Sequence, residues 1–153
     1  MNLCGGSATG RVAERSHAVR ATPHGRGGPS PDVGGSVLVI EDEVLIALDI
    51  VQDLESWGLP VAGVASTRDE ALRLAESGEP ALALVDVTLM RGEDGVALAK
   101  ELKARFGLSI VFLTAHSDGR TRSRMQAVAP EACLFKPYAP GALRRAMRRV
   151  LAE

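Results

Sequence analysis

The stretch VLVIEDEVLIALDI, residues 37–50, places an apolar run directly before the consecutive carboxylates Glu41, Asp42 and Glu43. Its first four residues, VLVI, are apolar at every position, which is typical of a strand buried on both faces of a sheet. After the carboxylates, apolar side chains recur at helical spacing and form one stripe. The stripe consists of Leu45, Leu48, Val51, Leu54 and Trp57. The stretch therefore predicts a buried strand that leads into an amphipathic helix, with negative charge at the junction.

The same alternation continues to residue 151. Further apolar runs predict strands at 61–66, 81–86, 109–114 and 133–136, and helical patterns follow them at 67–77, 94–106, 118–128 and 139–151. The side chains expected to face the core from the helix at 94–106 are Val96, Leu98, Ala99 and Leu102. Those expected to face it from the last helix are Leu143, Met147 and Val150. Five strand–helix units predict one α/β domain over 37–153, a doubly wound five-stranded parallel sheet with helices on both faces.

The composition favours a globular domain and argues against several other classes of protein. The chain has 153 residues and 46% hydrophobic content, which is enough to form a core. Its net charge of −1 does not indicate nucleic-acid binding. No apolar run is long enough to span a membrane. Cys4 and Cys133 lie far apart and predict neither a disulfide framework nor a zinc site, so a reducing cytoplasm is expected. Residues 1–36, rich in Gly, Ser, Pro and Arg, are expected to form a disordered tail.

Chemically reactive side chains end, or directly follow, four of the five predicted strands. Glu41 and Asp42 follow the first strand, and the last residues of the third, fourth and fifth strands are Asp86, Thr114 and Lys136. Ligands of doubly wound sheets bind at the carboxyl ends of the strands, so these residues are expected to meet in one cleft. Three carboxylates repel one another unless a cation joins them, and Mg²⁺ prefers such hard oxygen ligands. With a lysine and a hydroxyl to hold phosphoryl oxygens, the set predicts a site where a carboxylate accepts a phosphoryl group.

Each of these residues also has a simpler explanation. Carboxylates ahead of a helix stabilise its N-terminus by about 0.3–1 kcal/mol each without any metal. Asp86 is able to cap the loop that follows it, Thr114 is able to cap the next helix, and Lys136 is able to lie in solvent at the sheet edge. The occurrence of all of them at one edge favours a shared site over separate roles.

Four motifs in sequence order, VLVIEDE, LALVDVTL, VFLTAHSD and LFKPY, resemble those of the receiver domain of two-component response regulators. The resemblance covers about 37–151 and implies a flavodoxin-like sheet with strand order 2-1-3-4-5. It further implies that Asp86 is the phosphoacceptor, that Asp42 binds Mg²⁺ directly and Glu41 through water, and that the backbone carbonyl of Thr88 is another ligand. The implied phosphoryl-binding and switch residues are Thr114, Ala115 and Lys136, and the Lys136–Pro137 bond is implied to be cis.

The sequence departs from the family pattern in three places. The family often has an aromatic residue three positions before the lysine, whose rotation accompanies the switch, and here that position is Cys133. The loop VTLMRGEDG is one residue longer than is common before Gly95. Ala129 and Ala132 stand where glycines are common. These departures bear on the switch and on access to the site rather than on the acceptor.

The resemblance implies a component of a two-component phosphorelay rather than an enzyme. A sensor histidine kinase or a histidine phosphotransfer protein would present phosphohistidine, and phosphorylation would change the fourth helix and the loop before it. Readout to an unknown downstream protein is expected on the fourth helix, the fifth strand and the last helix. No further domain pattern follows, so a stand-alone receiver is expected. Its output would be a partner protein, a relay or a homodimer through helices four and five, without contact to nucleic acid or membrane.

Two other functions stay open at this point. A receiver-like interaction module that is never phosphorylated is favoured by Cys133 and the longer loop, although the intact acidic and lysine positions argue against it. An aspartate-based phosphatase usually needs a second carboxylate two residues after its nucleophile, and Thr88 occupies that position.

Overall fold

The structure is a computed structural model that describes residues 35–88, 92–115, 118–139 and 141–151. Its elements are β1 (Val37–Ile40), α1 (Val44–Ser56), β2 (Val61–Ala65), α2 (Arg68–Gly78), β3 (Leu82–Asp86), α3 (Gly95–Phe106), β4 (Ser109–Thr114), α4 (Gly119–Ala127), β5 (Ala132–Phe135) and α5 (Ala142–Leu151). The predicted elements are confirmed with bounds that shift by no more than one residue, except that the last helix begins at 142 rather than 139. The predicted disordered tail lies outside the described residues, apart from residues 35 and 36.

The five strands form one parallel sheet in the order β2-β1-β3-β4-β5, which confirms the predicted doubly wound topology. Ile40 pairs with Val85, and Asp86 pairs with Leu113, so the carboxyl ends of β1, β3 and β4 lie in register. The residues that directly follow β1 are therefore neighbours of the end of β3. Strand β5 lies at one edge of the sheet.

The sheet has a hydrophobic core on each face because alternate strand residues point in opposite directions. Leu38 and Ile40 of β1 belong to the core that α2, α3 and α4 cover. Val37 and Val39 belong to the core that α1 and α5 cover. The inward residues predicted for α3 are buried, as are those predicted for α5 apart from the half-buried Val150. This two-sided burial explains why every residue of β1 is apolar.

The predicted apolar stripe of α1 is wrong in its first half. Leu45 and Leu48 are 78% and 52% exposed. The side of the helix that packs against the sheet carries Ala47, Ile50 and Leu54 instead. Both sets have helical spacing, so periodicity alone does not distinguish them, whereas the small Ala47 side chain allows the start of α1 to pack close to the sheet. The helix therefore exposes large apolar side chains near the acidic junction.

None of the described helices has the length and apolar character that crossing a membrane requires. A spanning helix needs roughly 20 apolar residues, whereas α1 has 13 residues in all.

Candidate functional site

The junction between β1 and α1 places its three carboxylates in different environments. Glu41 is only 2% exposed, Asp42 is half-buried and Glu43 is exposed. The backbone N–H of Glu43 donates to Oε1 of Glu41 at 3.2 Å, which holds this carboxylate over the end of the sheet. Glu43 itself directly precedes α1, where its charge favours the positive end of the helix dipole. Only Glu41 and Asp42 therefore belong to the cleft at the strand ends.

The carboxylate of Asp86 lies beside this acidic pair. Asp86 is the last residue of β3 and is 8% exposed. The backbone N–H of Thr88 donates to Oδ1 of Asp86 at 3.0 Å and so orients the carboxylate. Glu41, Asp42 and Asp86 each offer a ligand oxygen, and these oxygens all lie within 4.8 Å of one another. Two strands thus bring three carboxylates to one point, as the topology argument predicts.

Lys136 links two of these carboxylates from the end of β5. Its Nζ lies 3.2 Å from Oε2 of Glu41 and 3.2 Å from Oδ2 of Asp86. Its backbone N–H donates to the carbonyl oxygen of Thr114 at 2.7 Å, which ties the end of β5 to the end of β4. The peptide bond between Lys136 and Pro137 is cis. Lys136 is therefore paired within the cleft, and the explanation as a solvated edge residue is wrong.

The electrostatics of the cleft favour an additional cation. Burial, and then the negative charge of Asp86, raise the pKa of Glu41 to about 7. Burial by itself lowers the pKa of Lys136, but the carboxylates of Asp86 and Glu41 raise it overall. Glu41 therefore carries its negative charge at a free-energy cost, even with an ammonium group beside it.

Thr114 and Ala115 lie at the end of β4, next to the strand that carries Asp86. Thr114 is fully buried, whereas Ala115 is exposed. The N-cap of α4 is Asp118, whose Oδ1 accepts the backbone N–H of Thr121 at 2.9 Å. The cap position that the simpler explanation assigns to Thr114 thus belongs to another residue.

Gly95 is a site residue that reasoning from reactive side chains does not identify. A Cβ atom at this position would lie 2.2 Å from the carbonyl oxygen of Asp86 and 2.8 Å from that of Val87. The backbone N–H of Gly95 donates to the carbonyl oxygen of Val87 at 3.1 Å. Only glycine allows the start of α3 to approach the end of β3 this closely. The sequence contains a signal for this packing, because glycine is a poor helix former and begins this helix.

The loop between β3 and α3 is tied to helices on both sides. Glu93 accepts the backbone N–H of Arg68, at the start of α2, at 2.8 Å. Asp94 pairs with Arg124 of α4. Burial alone would raise the pKa of Asp94, but hydrogen bonds from Arg124 and from backbone N–H groups of α3 lower it overall. These partners are distant in sequence, so no local pattern predicts them.

An exposed apolar surface adjoins the carboxylates. It consists of Val44, Leu45 and Leu48 of α1 and Val64 of β2, and we call it the α1 apolar patch. Val44 and Val64 are 71% and 41% exposed. Val44, Leu48 and Val64 line a shallow groove together with Glu41 and Asp42. Contiguous exposed apolar side chains often mark an interaction site, so the patch is a candidate surface for a partner that reaches the cleft.

The donor set fits a magnesium ion. Mg²⁺ prefers oxygen ligands and usually takes one or two carboxylates while it keeps several water molecules. Glu41, Asp42 and Asp86 offer such oxygens in one cluster, and Asp42 is partly open to solvent. A divalent cation there would also relieve the cost at which Glu41 carries its charge. The three carboxylates are therefore the residues that would hold the metal.

The fold and the strand-end cleft define a signalling domain of the receiver class, and comparison with known families agrees. The family model described as the response regulator receiver domain matches residues 37–148. The chain therefore belongs to the response regulator receiver family.

Two curated relatives are regulators. The chain is 37% identical over 111 residues to the phyllosphere-induced regulator PhyR of Methylorubrum extorquens, a match that covers 71% of this chain and 40% of PhyR. It is 35% identical over 115 residues to the transcriptional regulatory protein PdtaR of Mycobacterium tuberculosis, covering 72% of this chain and 56% of PdtaR. The aligned region spans about half the length of these curated relatives.

Solved structures show the same architecture. The receiver domain of a modulated diguanylate cyclase from Desulfovibrio desulfuricans matches with a TM-score of 0.71 and 37% identity, covering 77% of this chain and 94% of that chain. PhyR from Brucella abortus matches with a TM-score of 0.65 and 31% identity, covering 77% of this chain and 48% of that chain. Both similarities agree with the assignment of this chain to the receiver family.

Proposed function

We propose that this chain is a phosphorylatable receiver in a two-component phosphorelay and that Asp86 accepts a phosphoryl group from a phosphohistidine. The observation that carries this proposal is the convergence of three carboxylates and one lysine at the strand ends. Membership of the receiver family supports it. The donor is a sensor histidine kinase or a histidine phosphotransfer protein, and the cofactor is Mg²⁺.

Each residue of the cleft has its own role in the phosphoryl transfer. An oxygen of Asp86 attacks phosphorus, and the new O–P bond forms as the P–N bond breaks, with the electron pair leaving on the imidazole nitrogen, which takes a proton from solvent. The N–H of Thr88 keeps the acceptor carboxylate oriented. Lys136 holds its positive charge where the phosphoryl oxygens arrive. Glu41, Asp42, Asp86 and the backbone carbonyl of Thr88 would hold Mg²⁺, which would supply positive charge to offset that of the phosphoryl group.

The α1 apolar patch is suited to receive the phosphohistidine donor. It borders the groove that contains Glu41 and Asp42, so a partner helix packed on it would bring a histidine towards the cleft. Covering exposed apolar surface favours a complex, although only the surplus over the entropic and desolvation costs of association contributes to its affinity. We expect Leu45→Glu to slow transfer from a phosphohistidine protein but not from acetyl phosphate, which needs no docking surface.

The conformational response is proposed to begin at Thr114, Ala115 and Lys136. Thr114 ends β4, Ala115 directly follows it and Lys136 directly follows β5, so all three would gain contacts to the phosphoryl oxygens. New contacts there would bias the segment that leads into α4, a local change of charge with a distant readout. Cys133, half-buried in β5, occupies the position where the family often has an aromatic residue. In this proposal the response therefore depends on the hydroxyl and the lysine.

The test is incubation with acetyl phosphate and Mg²⁺ followed by intact-mass measurement. The wild-type chain is expected to gain the mass of one phosphoryl group, and Asp86→Asn is expected to gain none. Asp49→Asn is a matched control, because Asp49 is an exposed carboxylate on α1 and should leave labelling unchanged. No added mass on the wild type, under conditions where Mg²⁺ binding is measurable, would overturn the proposal.

A second candidate is a receiver-like interaction module that binds its partner without phosphorylation, which Cys133 and the longer β3–α3 loop favour. It requires equal partner binding by the wild type and by Asp86→Asn in the presence of a phosphoryl donor. A phosphatase role has less support, because Thr88 stands where such enzymes usually place a second carboxylate. Hydrolysis of small phosphate esters with many turnovers would revive that role.

The output is proposed to be a protein contact. PhyR from Bartonella quintana, matched with a TM-score of 0.63 and 28% identity over 47% of its chain, is an anti-anti-sigma factor. A regulator of that kind acts through binding to another protein, and we propose the same mode of output here. A homodimer through α4 and α5 is the alternative, which sedimentation with and without beryllofluoride would test.

A further inference from the structure

We propose that the surface between α4 and α5 is a docking site for a carboxylate-rich segment of a partner protein, and not for a second copy of this chain. We call this surface the arginine face. It consists of the edge strand β5 with Arg122 of α4 and with Arg145, Arg148 and Arg149 of α5. The four arginines are exposed.

The two helices flank the open edge of the sheet. Strand β5 is hydrogen-bonded to β4 on one side and is the last strand of the sheet. Cys133 and Phe135 pack against the core that contains Met125 of α4. Ala132 and Leu134 pack against the core that contains α5. All four β5 residues are only half-buried, so they form a partly exposed apolar floor between the two arginine-bearing helices.

The guanidinium groups reach both ends of this floor. Arg122 lies over the ring of Phe135 with its Cζ 5.2 Å from the ring centroid. Arg149 donates through Nη2 to the backbone carbonyl oxygen of Glu131, directly before β5, at 3.4 Å. Positive charge is thus held at the beginning and at the end of the edge strand.

The two helices that carry this positive charge contribute no carboxylate of their own to offset it. Neither the α4 sequence GRTRSRMQA nor the α5 sequence ALRRAMRRVL contains Asp or Glu. Within the part of the chain that the structure describes, none of the four arginines forms an ion pair, whereas Arg68, Arg105 and Arg124 do. Exposed arginine is therefore available to bind carboxylates from another molecule, and its planar fork suits bidentate contact.

The charge distribution of the arginine face favours one class of binding partner over the others. A two-fold dimer would place the arginine face against itself and oppose arginine with arginine, which is electrostatically unfavourable. Nucleic acid also carries negative charge, but binding of single strands relies on exposed aromatic rings, and Phe135 is already covered by Arg122. An acidic protein segment that also carries apolar side chains matches both the arginines and the floor.

This inference deepens the proposed function by naming the chemistry of its output partner. It rests on that function only for control by phosphorylation, because the recognition of carboxylates belongs to the unmodified chain. The two proposals therefore fail separately.

The experiment titrates the full chain into a fluorescent peptide of Glu and Leu residues, with a peptide of Gln and Leu and a short single-stranded RNA as comparisons. We expect the acidic peptide to bind more tightly than either comparison and to shift the backbone amide resonances of β5. Arg145→Glu with Arg149→Glu is expected to weaken its binding by about tenfold or more. Arg73→Glu, a single charge reversal on the exposed side of α2 and so half the change in charge of the double variant, should leave binding unchanged.

The charge-neutral pair Arg145→Gln with Arg149→Gln provides a second variant, expected to weaken binding less than charge reversal. Equal affinity for the acidic and neutral peptides would overturn the proposal, as would tighter RNA binding at this face. A concentration-dependent dimer that charge reversal abolishes would show that a second copy occupies the face. Retained peptide binding by Asp86→Asn is expected, so a failure of phosphorylation leaves this result intact.

Discussion

The acidic cleft and the arginine face place their charges in opposite environments. In the cleft, Glu41 and Asp86 are buried and share the ammonium group of Lys136. On the arginine face the guanidinium groups are exposed and have no carboxylate partner among the described residues. Burying a charge costs several kcal/mol unless a partner compensates it, whereas exposing one costs little. The charges of the cleft are therefore held in fixed pairs, whereas the guanidinium groups of the arginine face are open to solvent and to other molecules.

The largest contrast should appear between two glycines that each begin a helix. In Gly95→Ala the new Cβ would overlap the carbonyl oxygen of Asp86, so we expect a loss of about 3 kcal/mol in the free energy of unfolding. In Gly119→Ala, at the start of α4, the Cβ meets no atom within 4 Å, so stability should change by no more than about 1 kcal/mol, in the stabilising direction. Urea unfolding measures both. Equal effects would show that close packing does not distinguish the cleft from α4.

The next effect comes from the lysine of the cleft. Lys136→Met leaves Glu41 and Asp86 without their shared cation and should lower the free energy of unfolding by about 2 kcal/mol at neutral pH without metal. Mg²⁺ should recover part of this loss, because it offers positive charge to the same carboxylates. Lys100→Met, at an exposed position of α3, is the control and should change stability by less than about 0.5 kcal/mol. If Lys136→Met were as stable as this control, the buried carboxylates of the cleft would not depend on the lysine for compensation of their charge.

The raised pKa of Glu41 predicts that the free energy of unfolding depends on pH, and the arginine face does not contribute to this dependence. The folded state raises its pKa from 4.5 to about 7, so folding favours the protonated form. The resulting stabilisation is fully present below the unfolded pKa and is lost as the pH rises through 7. Without Mg²⁺, the free energy of unfolding should fall by about 1–2 kcal/mol relative to Glu41→Gln as the pH rises from 4.5 to about 7, with allowance for solvent screening. Arg145→Gln with Arg149→Gln should retain the wild-type dependence, and an unchanged slope in Glu41→Gln would contradict the prediction.

The smallest effect separates paired from unpaired arginines on the surface. Arg124→Gln removes the ion pair with Asp94, which is partly exposed, and should cost about 0.5 kcal/mol. Arg148→Gln removes no ion pair and should have no measurable effect on unfolding. The two urea midpoints should therefore differ slightly, with the Arg124 variant lower. Identical midpoints would show that the α4–α3 ion pair contributes nothing to stability.

Much of the fold follows from local patterns. Apolar runs and helical periodicity predict the five strands and five helices because the pattern that marks each element is carried by its own residues. The predicted buried side of α1 is wrong in its first half, because Leu45 and Ala47 both belong to sets with helical spacing. Only the packing of α1 against the sheet decided that the smaller residue faces inward. Periodicity identifies an amphipathic helix more reliably than it identifies its buried side.

The candidate site is predictable in its reactive residues but not in its supporting ones. Parallel strands bring their carboxyl ends to one edge, so Asp86 and Lys136 are expected to meet Glu41 there. Gly95 carries no reactive group, and the Asp94–Arg124 pair joins helices that are distant in sequence. Such partners become visible only when the elements are placed in space.

The sequence by itself determined the strand–helix alternation, the acidic and lysine residues at the strand ends, and the arginine-rich, acid-free composition of α4 and α5. Tertiary structure settled which carboxylates are buried, that Lys136 contacts Glu41 across 95 positions, and that the α5 arginines form no ion pair with a carboxylate that the structure describes. The reason is physical. Periodicity is a local property of the chain, whereas burial and charge compensation depend on distances that exist only after the elements have packed.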